Sequence, residues 1–412
     1  MATVVLVGTL DTKGEEYEFL RRRVLEEGVD ALLVDTGVLG SPLAEPDISR
    51  QQVAEAASAD LQELATSEDR GAAVEAMAQG VSEVVKDLHA QGRLDAVLAL
   101  GGSGGTAIAA QAMRELPVGV PKLIVSTMAS GDTRPYVGAV DVTLMYSVVD
   151  ISGLNPISER ILGNAAAAAA GMAKAPGFGS EAEKPLVGAT MFGVTTPCVT
   201  EARKRLEELG YEVLVFHATG TGGQSMEALM RSGFITASLD VTTTELADEL
   251  VGGVLSAGPD RLEAAGALGI PQVVSLGALD MVNFGPFESV PAEFRDRLLY
   301  KHNPTVTLMR TTPVECAELG RVIAEKLNRA RGPLTVFVPL KGVSLIATEG
   351  QAFHDPSADE ALFGALREHL DPGVDLQELD LDVNDPEFAR AMADRLDSLY
   401  RAWSPAPREV TA

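Results

Sequence analysis

The sequence predicts an α/β fold of two Rossmann-like domains in tandem, each with a mainly parallel sheet. Short β-branched runs alternate with amphipathic helical stretches, and strands separated by helices form parallel crossovers. The chain has 412 residues, which is longer than a domain with a single hydrophobic core usually is. This length suits two domains of about 200 residues each. Each of two glycine-rich turns lies between an apolar run and a helical pattern, which predicts a strand–loop–helix unit. Loops in this position bind ligands in such folds.

The predicted strands follow one another in two groups. The first group is Thr3–Val7, Ala31–Asp35, Asp95–Leu100 and Lys122–Thr127. The second group is Leu186–Thr190, Tyr211–His217, Phe234–Asp240, Gln272–Leu276, Thr305–Arg310 and Leu334–Val338. Proline and glycine in the segment Ala175 to Ser180 stop the preceding helix, which makes this segment the predicted linker. We therefore place an N-terminal nucleotide-binding domain at residues 1–180 and a C-terminal domain with a second anion site at residues 181–412.

Composition and charge exclude several classes of protein. The formal net charge is -26, and no cluster of Lys and Arg could hold a nucleic-acid backbone. No apolar run reaches the roughly 18 residues of a membrane span, and the first residues lead directly into a strand instead of a signal peptide. Cys198 and Cys316 lack metal-ligand spacing and fit a reducing compartment. We expect a cytoplasmic protein that binds neither nucleic acid nor membrane.

The first glycine-rich turn, Gly101 to Thr106, predicts a phosphate site. Glycine frees backbone N–H groups and a helix N-terminus carries positive partial charge, so the turn suits an anion. The segment Gly102 to Ala107 fits the pattern G-x-G-x-x-A, although a tight turn without ligand can have the same sequence. Lys13 precedes Gly14, so the first loop is not a Walker A motif. The predicted nucleotide-binding residues are Thr9, Asp11, Lys13, Thr36, Gly101, Gly102, Ser103, Gly104, Gly105, Thr106, Ser130, Gly131 and Asp132.

The second glycine-rich turn predicts a site for an anionic substrate in the C-terminal domain. The expected substrate-binding residues are Gly220, Thr221, Gly222, Gly223, Asp280, Asn283 and Lys341. An NAD site is the alternative for this turn, because Asp240 stands at the distance from Gly220 where an acid would hold ribose hydroxyls. The first turn lacks such an acid at the end of its next strand, where Ser126 and Thr127 stand.

Three side chains are the candidates for proton or acyl transfer. Histidine titrates near neutral pH, and His217 and His302 stand in loop-like contexts. Cys198 follows Pro197 at a predicted helix N-terminus, where the dipole would lower the pKa of a thiol; a buried packing residue is the alternative. A site formed by His217, His302 and His354 lacks paired ligand spacing, so we predict no metal site. The alanine run Ala165 to Ala170 predicts a helix packed between the domains or across a dimer axis.

Long motifs resemble the Tm-one-like ATP-binding domain family, which is named for a tomato mosaic virus resistance protein. The matching segments are Gly8 to Gly14, Gly101 to Thr106, Ile151 to Asn155, Met191 to Cys198, Phe216 to Gly220, His302 to Pro304 and Pro339 to Ser344. The resemblance runs nearly end to end. It implies two Rossmann-like domains, ATP bound near the first glycine turn and a homodimer. It implies no particular reaction.

These observations support three hypotheses of different classes. The first is an enzyme of small-molecule metabolism that binds ATP, alone or with Mg²⁺, and acts on a small anionic substrate in a cleft between the domains. The second is a nucleotide-responsive binding protein without turnover. The third is a nucleotide-independent hydrolase or lyase that uses the C-terminal histidines and cysteine. The histidine, cysteine and lysine residues near predicted loops favour the enzyme.

Overall fold

The structure is a computed structural model that describes residues 1–67, 69–175 and 184–403. It divides into two compact α/β units, which the described residues represent as 1–175 (unit 1) and 184–403 (unit 2). The predicted linker beyond Ala175, residues 176–180, lies outside the described residues. None of the described helices is long and apolar enough to cross a lipid bilayer.

Unit 1 contains a five-stranded parallel sheet in the order β2-β1-β3-β4-β5. The strands are β1 (Thr3–Gly8), β2 (Asp30–Asp35), β3 (Ala96–Gly101), β4 (Lys122–Ser126) and β5 (Val142–Tyr146). The helices are α1 (Leu10–Glu26), α2 (Arg50–Ala56), α3 (Leu61–Thr66), α4 (Arg70–Ala90), α5 (Ser103–Arg114), α6 (Arg134–Val137) and α7 (Pro156–Lys174).

Strand β1 shows why both faces of this sheet carry helices. Val4 and Leu6 pack with α1 and α7 on one face, while Val5 and Val7 pack with α4 and α5 on the other. Side chains alternate along a strand, so a strand that is apolar at every position must be covered on both faces. Four alanines of the α7 run are buried in this core of unit 1: Ala165, Ala166, Ala169 and Ala170. Packing within unit 1 therefore accounts for most of the run that was predicted to pack between domains or across a dimer axis.

Unit 2 contains a six-stranded parallel sheet in the order β14-β13-β9-β8-β6-β7 and a three-stranded antiparallel sheet in the order β10-β12-β11. Its strands are β6 (Leu186–Met191), β7 (Glu212–His217), β8 (Ala237–Thr242), β9 (Gln272–Gly277), β10 (Met281–Phe284), β11 (Leu299–Asn303), β12 (Val306–Arg310), β13 (Leu334–Pro339) and β14 (Asp375–Leu379). Its helices are α8 (Thr196–Glu208), α9 (Thr221–Arg231), α10 (Thr244–Val251), α11 (Ala264–Leu268), α12 (Pro313–Leu327), α13 (Pro356–His369) and α14 (Pro386–Ala402).

Helices cover both faces of the larger sheet of unit 2. Helices α8 and α14 pack on one face with β6 and β8, and α10, α12 and α13 contribute to the core that contains β9 and β13. Trp403 follows α14 and packs against Tyr400, with their ring centroids 5.8 Å apart and their planes inclined by 47°. The predicted strand Thr305–Arg310 is β12 of the antiparallel sheet, since the short β10 and β11 flank it and no helix separates it from β11.

Candidate functional site

A cavity of about 580 Å³ lies at the carboxyl ends of β1 and β3 in unit 1. The strand order reverses direction at this point, because β2 follows β1 on one side of the sheet and β3 lies on its other side. Open α/β sheets bind ligands at such a switch point, and the cavity has the usual size of a small-molecule site. Of the predicted nucleotide-binding residues, the cavity brings together Thr9, Asp11, Lys13, Thr36, Gly101, Gly102, Ser103, Gly104 and Gly105.

The side chain of Tyr17 lies between the carboxyl ends of β1 and β3 and bonds to both strands. The β1–β3 pairing ends at Val7 and Ala99, and beyond it the Tyr17 hydroxyl accepts a hydrogen bond from the Leu100 amide at 2.9 Å and donates to the Val7 carbonyl. Burial raises the pKa of Tyr17 well above its usual value, so the phenol stays protonated. Gly8 leaves the space for this ring, since a Cβ at residue 8 would lie 2.0 Å from it.

The N-terminus of α5 forms one wall of the cavity. Its N-cap is Gly102, which offers no side-chain cap, and Thr106 is the first residue whose amide reaches a backbone carbonyl, that of Gly102, at 2.9 Å. The amides of the first turn therefore have no acceptor among the residues that the structure describes. A Cβ at Gly101 would lie 2.8 Å from the Gly105 Cα, whereas a Cβ at Gly104 would meet no atom within 4 Å. Gly101 permits close packing of the turn, and Gly104 leaves space free beside the cavity.

Two cations line the same cavity without an ion pair in the described parts of the chain. Lys13 lies at a kink in α1, with φ -130° and ψ 17°, and its Nζ donates to the carbonyl of Ile151. Arg70 is the first residue of α4 and is exposed. A carbonyl positions the Lys13 ammonium but does not neutralise it, so its charge remains available to an anion.

Asp35 holds the loops around the cavity, and the sequence analysis did not identify it. Its Oδ1 accepts hydrogen bonds from the amides of Leu10 at 3.1 Å and Gly37 at 2.8 Å, and its Oδ2 accepts one from Arg50 Nε at 2.7 Å. The side chain thus caps α1 in place of Thr9, which has no side-chain cap bond. An aspartate at the end of an apolar strand was the available signal.

Four predicted residues lie outside the cavity lining. Thr106 is buried, and its Oγ1 lies 2.7 Å from the hydroxyl oxygen of Ser126, which ties the end of β3 to that of β4. Ser130, Gly131 and Asp132 follow β4 in an exposed turn. Arg134 hydrogen-bonds to Asp132 and holds the pKa of that carboxyl at about 2. These four residues have structural partners or positions that do not require a ligand.

The second glycine turn contains an anion that belongs to the chain itself. The buried carboxylate of Glu245 accepts hydrogen bonds from the amides of Gly220 at 2.8 Å and Gly223 at 3.1 Å. A Cβ at Gly223 would lie 2.2 Å from Glu245 Oε2, so glycine is required there to admit the carboxylate. This corrects the predicted substrate site at Gly220, Thr221, Gly222 and Gly223, because an internal anion already binds two of the turn's amides.

Arg261 binds the carboxylates of both Glu245 and Asp240. Its guanidinium donates to Glu245 Oε2 at 2.6 Å and to the two oxygens of Asp240 at 2.6 and 2.7 Å. Burial opposes the charge, but these carboxylates raise the pKa of Arg261 above its already high ordinary value. Asp240 is therefore engaged in a buried ion pair, which removes the acid that the NAD alternative requires.

Comparison with known proteins places the whole chain in one family. The model described as "Uncharacterised protein family (UPF0261) N-terminal domain" matches residues 2–177, and the corresponding C-terminal domain model matches residues 184–400. The chain belongs to family UPF0261.

Relatives of this UPF0261 chain occur in bacteria and in a plant. A UPF0261 protein of Clostridium tetani is 54% identical over 95% of this chain and 98% of its own length. A second, from Rhizobium meliloti, is 47% identical over 95% of this chain and 97% of its own. The ToMV resistance protein Tm-1 of Solanum lycopersicum is 41% identical over 99% of this chain but 56% of its own length. The predicted resemblance is confirmed as a relationship to this tomato protein; the matching family models are those of UPF0261.

The thiol of Cys198 in the UPF0261 chain is not an activated nucleophile. It is fully buried in the core of unit 2, and burial raises its pKa to about 12, with a further contribution from Asp382. This corrects the expected lowering of the thiol pKa, because desolvation outweighs the helix dipole. Its amide is occupied as well, since it donates to Asn384 Oδ1 at 3.3 Å.

The remaining candidates of unit 2 are dispersed. His217 ends β7, and His302 lies in β11 on a different sheet; both are exposed. Lys341 is exposed and pairs with Asp380 at 2.8 Å. No group of three or more His, Cys, Asp or Glu side chains in the described ranges could hold a metal ion.

Asp280 and Asn283 are buried polar residues of the β9–β10 connection and β10. Asp280 accepts a hydrogen bond from the Ser344 hydroxyl at 2.7 Å, and burial raises its pKa to about 6 although Arg310 lowers it. Asn283 donates from its amide N and its Nδ2 to Asp248, at 2.6 and 3.0 Å. These contacts join β10 to its neighbouring segments, while Oδ1 of each residue has no partner in the described chain. Neither residue lines the cavity of unit 1, so the predicted role in substrate binding stays a prediction.

Proposed function

We propose that unit 1 binds ATP or a related nucleotide in the cavity at the N-terminus of α5. The observation that carries this proposal is the uncapped first turn of α5, whose amides lie at the switch point of the sheet and border a cavity large enough for a nucleotide. Lys13 and Arg70 add positive charge to the lining of that cavity in a chain of net charge -26. Apolar side chains supply a second lining that suits a base: Val38, Leu39, Leu64, Val74, Met77 and Ile108.

We further propose that the nucleotide serves an enzyme of small-molecule metabolism. Asp11 and Asp150 line the cavity together with Lys13, and these are more acid–base groups than phosphate binding requires. Release of ADP or AMP from ATP, measured with and without Mg²⁺ and with candidate anionic substrates, tests this step. A protein that binds ATP but never converts it, with any substrate tried, would be a nucleotide-responsive binding protein.

Binding itself is tested by Gly104→Val. A Cβ at Gly104 meets no atom within 4 Å and lies beside the cavity, so valine should leave the fold intact and exclude phosphate. ATP at about 100 times its dissociation constant should stabilise the parent unit by about 2.7 kcal/mol, which raises its melting temperature by several degrees. Gly104→Val should lose this shift.

Gly171→Val is the matched control for this experiment. Gly171 is also a helical glycine whose Cβ would meet no atom within 4 Å, but it lies on α7 and outside the cavity lining. Its variant should retain the full shift with ATP. Absence of an ATP-dependent shift in the parent protein, with and without Mg²⁺, would refute the proposed function.

A further inference from the structure

Two buried polar atoms at the cavity have no partner in the described chain. They are Oδ1 of Asp11 and Oγ1 of Thr36, and both residues line the cavity. Thr36 is 2% exposed. Leaving a buried polar atom without a hydrogen bond is unfavourable, so two of them at one cavity point to a ligand that supplies the missing hydrogen bonds.

The carboxylate of Asp11 is held in one orientation by its surroundings. Its Oδ2 accepts a hydrogen bond from the Leu39 amide at 2.9 Å. The same carboxylate packs over Gly37, where a Cβ would lie 2.6 Å from Oδ1. Because one oxygen is bound and the other is not, Asp11 can accept a hydrogen bond from a donor without losing its contact with the loop after β2.

The cavity therefore has one region that favours negative charge and another that favours hydrogen-bond donors. The first turn of α5, Lys13 and Arg70 favour a group with negative charge. The Asp11 carboxylate repels negative charge and accepts hydrogen bonds from donors. Phosphate or a bare polyphosphate suits only the first region, whereas a nucleoside phosphate suits both, since its ribose hydroxyls are donors separated from the phosphates.

We infer that Asp11 and Thr36 bind the ribose hydroxyls of the nucleotide and make the cavity selective for ribonucleoside phosphates. The inference rests on the proposed nucleotide site. A ribose diol offers two hydroxyls that each donate and accept, which suits a cavity lined by a carboxylate acceptor and by a threonine hydroxyl that does both. Phosphate then lies toward α5, and the base lies toward the apolar lining formed by α3 and α4, which includes Leu64, Val74 and Met77.

The test compares four ligands by calorimetric titration of the full chain: ATP, 2′-deoxy-ATP, 3′-deoxy-ATP and inorganic tripolyphosphate. The parent protein should bind ATP at least about tenfold more tightly than the weaker deoxynucleotide. When a ribose hydroxyl is missing, the buried Asp11 or Thr36 oxygen that would bind it stays without a hydrogen bond. Asp11→Asn keeps the size of the side chain and an oxygen for the Leu39 amide, and it should reduce this preference to within about twofold. Thr36→Val should reduce it in the same direction.

The outcomes distinguish failure of the ribose inference from failure of the proposed nucleotide binding by unit 1. If no nucleotide and no tripolyphosphate binds, the proposed function fails. If ATP and both deoxynucleotides bind equally to the parent, the nucleotide site stands and the ribose inference is overturned. The inference is also overturned if Asp11→Asn abolishes an effect of Mg²⁺ on affinity but preserves the preference for ribose, since Asp11 then holds the metal. Unliganded melting temperatures within about two degrees of the parent confirm that each variant folds.

Discussion

Glu245 provides an anion to the Gly220–Gly223 turn from within the chain. Its carboxylate is tethered to the site, so it has an effective concentration that a free substrate anion cannot match. Arg261 holds the same carboxylate at 2.6 Å and is itself buried, which fixes the arrangement as part of the core of unit 2. A glycine turn before a helix is therefore evidence for an anion site but not for an external ligand.

We expect Glu245→Ala to destabilise unit 2 by about 3–5 kcal/mol, because it leaves Arg261 and the turn amides without a partner in a buried setting. Glu249→Ala on the same helix is the control; Glu249 is exposed, and its loss should cost little. Chemical denaturation measures both. Formate should restore part of the lost stability by occupying the vacated position, and an alanine variant as stable as the parent would contradict this account.

The two glycine turns show what a sequence can predict about a site at the level of an element. Both turns follow a strand and precede a helix, as predicted, and both have the chemistry of an anion site. Whether the anion is external depends on Glu245, which lies 25 residues away from Gly220 and approaches through tertiary packing. Local sequence therefore predicted the cavity residues Thr9, Asp11, Lys13, Thr36 and those from Gly101 to Gly105 but could not reveal the internal ligand.

Helix α5 should gain stability and lose its ligand when its N-cap is supplied by a side chain. A Cβ at Gly102 has its nearest neighbour, Thr127 Oγ1, at 3.8 Å, and the backbone there has φ -78°, so Gly102→Asp fits. The aspartate should accept hydrogen bonds from first-turn amides and raise the stability of unliganded protein by up to about 1 kcal/mol. It should also abolish the ATP-induced rise in melting temperature.

Gly102→Ala separates the two effects, since it adds a Cβ without a charge or a capping oxygen. It should retain most of the ATP response in a thermal melt. Unchanged ATP binding by the aspartate variant would show that the phosphates do not lie at the N-terminus of α5.

The whole molecule repeats one strand order. In unit 1 the order begins β2-β1-β3-β4, and in unit 2 the corresponding strands are β7-β6-β8-β9. Apolar runs predicted most of these strands, because buried parallel strands are apolar on both faces. The sequence did not predict the edge strands β5, β11 and β14, which are only partly buried, or the four-residue β10, which is buried. Strands β5 and β14 pair with strands that lie beyond a connecting helix, whereas β11 forms a hairpin with β12.

Unit 2 should lose stability as the pH rises from 5 to 8. Burial raises the pKa of Asp248 from 3.8 to about 7, although hydrogen bonds from Asn283 and Leu255 lower it. A carboxyl with a higher pKa in the folded state contributes stability that is complete below its unfolded pKa and is lost as the pH rises through about 7. Between pH 5 and pH 8 the effect is at most about 3 kcal/mol, and the smaller shift of Asp280 acts in the same direction.

Calorimetric melts at several pH values measure this dependence. Asp248→Asn should flatten it, whereas Asp380→Asn, at an exposed position of the same unit, should leave it unchanged. A parent protein whose unit 2 is equally stable at pH 5 and pH 8 would contradict the assignment.

Trp403 makes the two units distinguishable by spectroscopy. It is the single tryptophan of the chain and packs against Tyr400 at the end of unit 2, whereas the cavity at the N-terminus of α5 belongs to unit 1. Tryptophan emission therefore follows the unfolding of unit 2, and far-ultraviolet dichroism follows both units. A ligand that delays the dichroism transition but not the emission transition protects the unit without the fluorophore. The native chain thus carries its own domain-specific reporter, and no label is needed to locate a stabilising ligand.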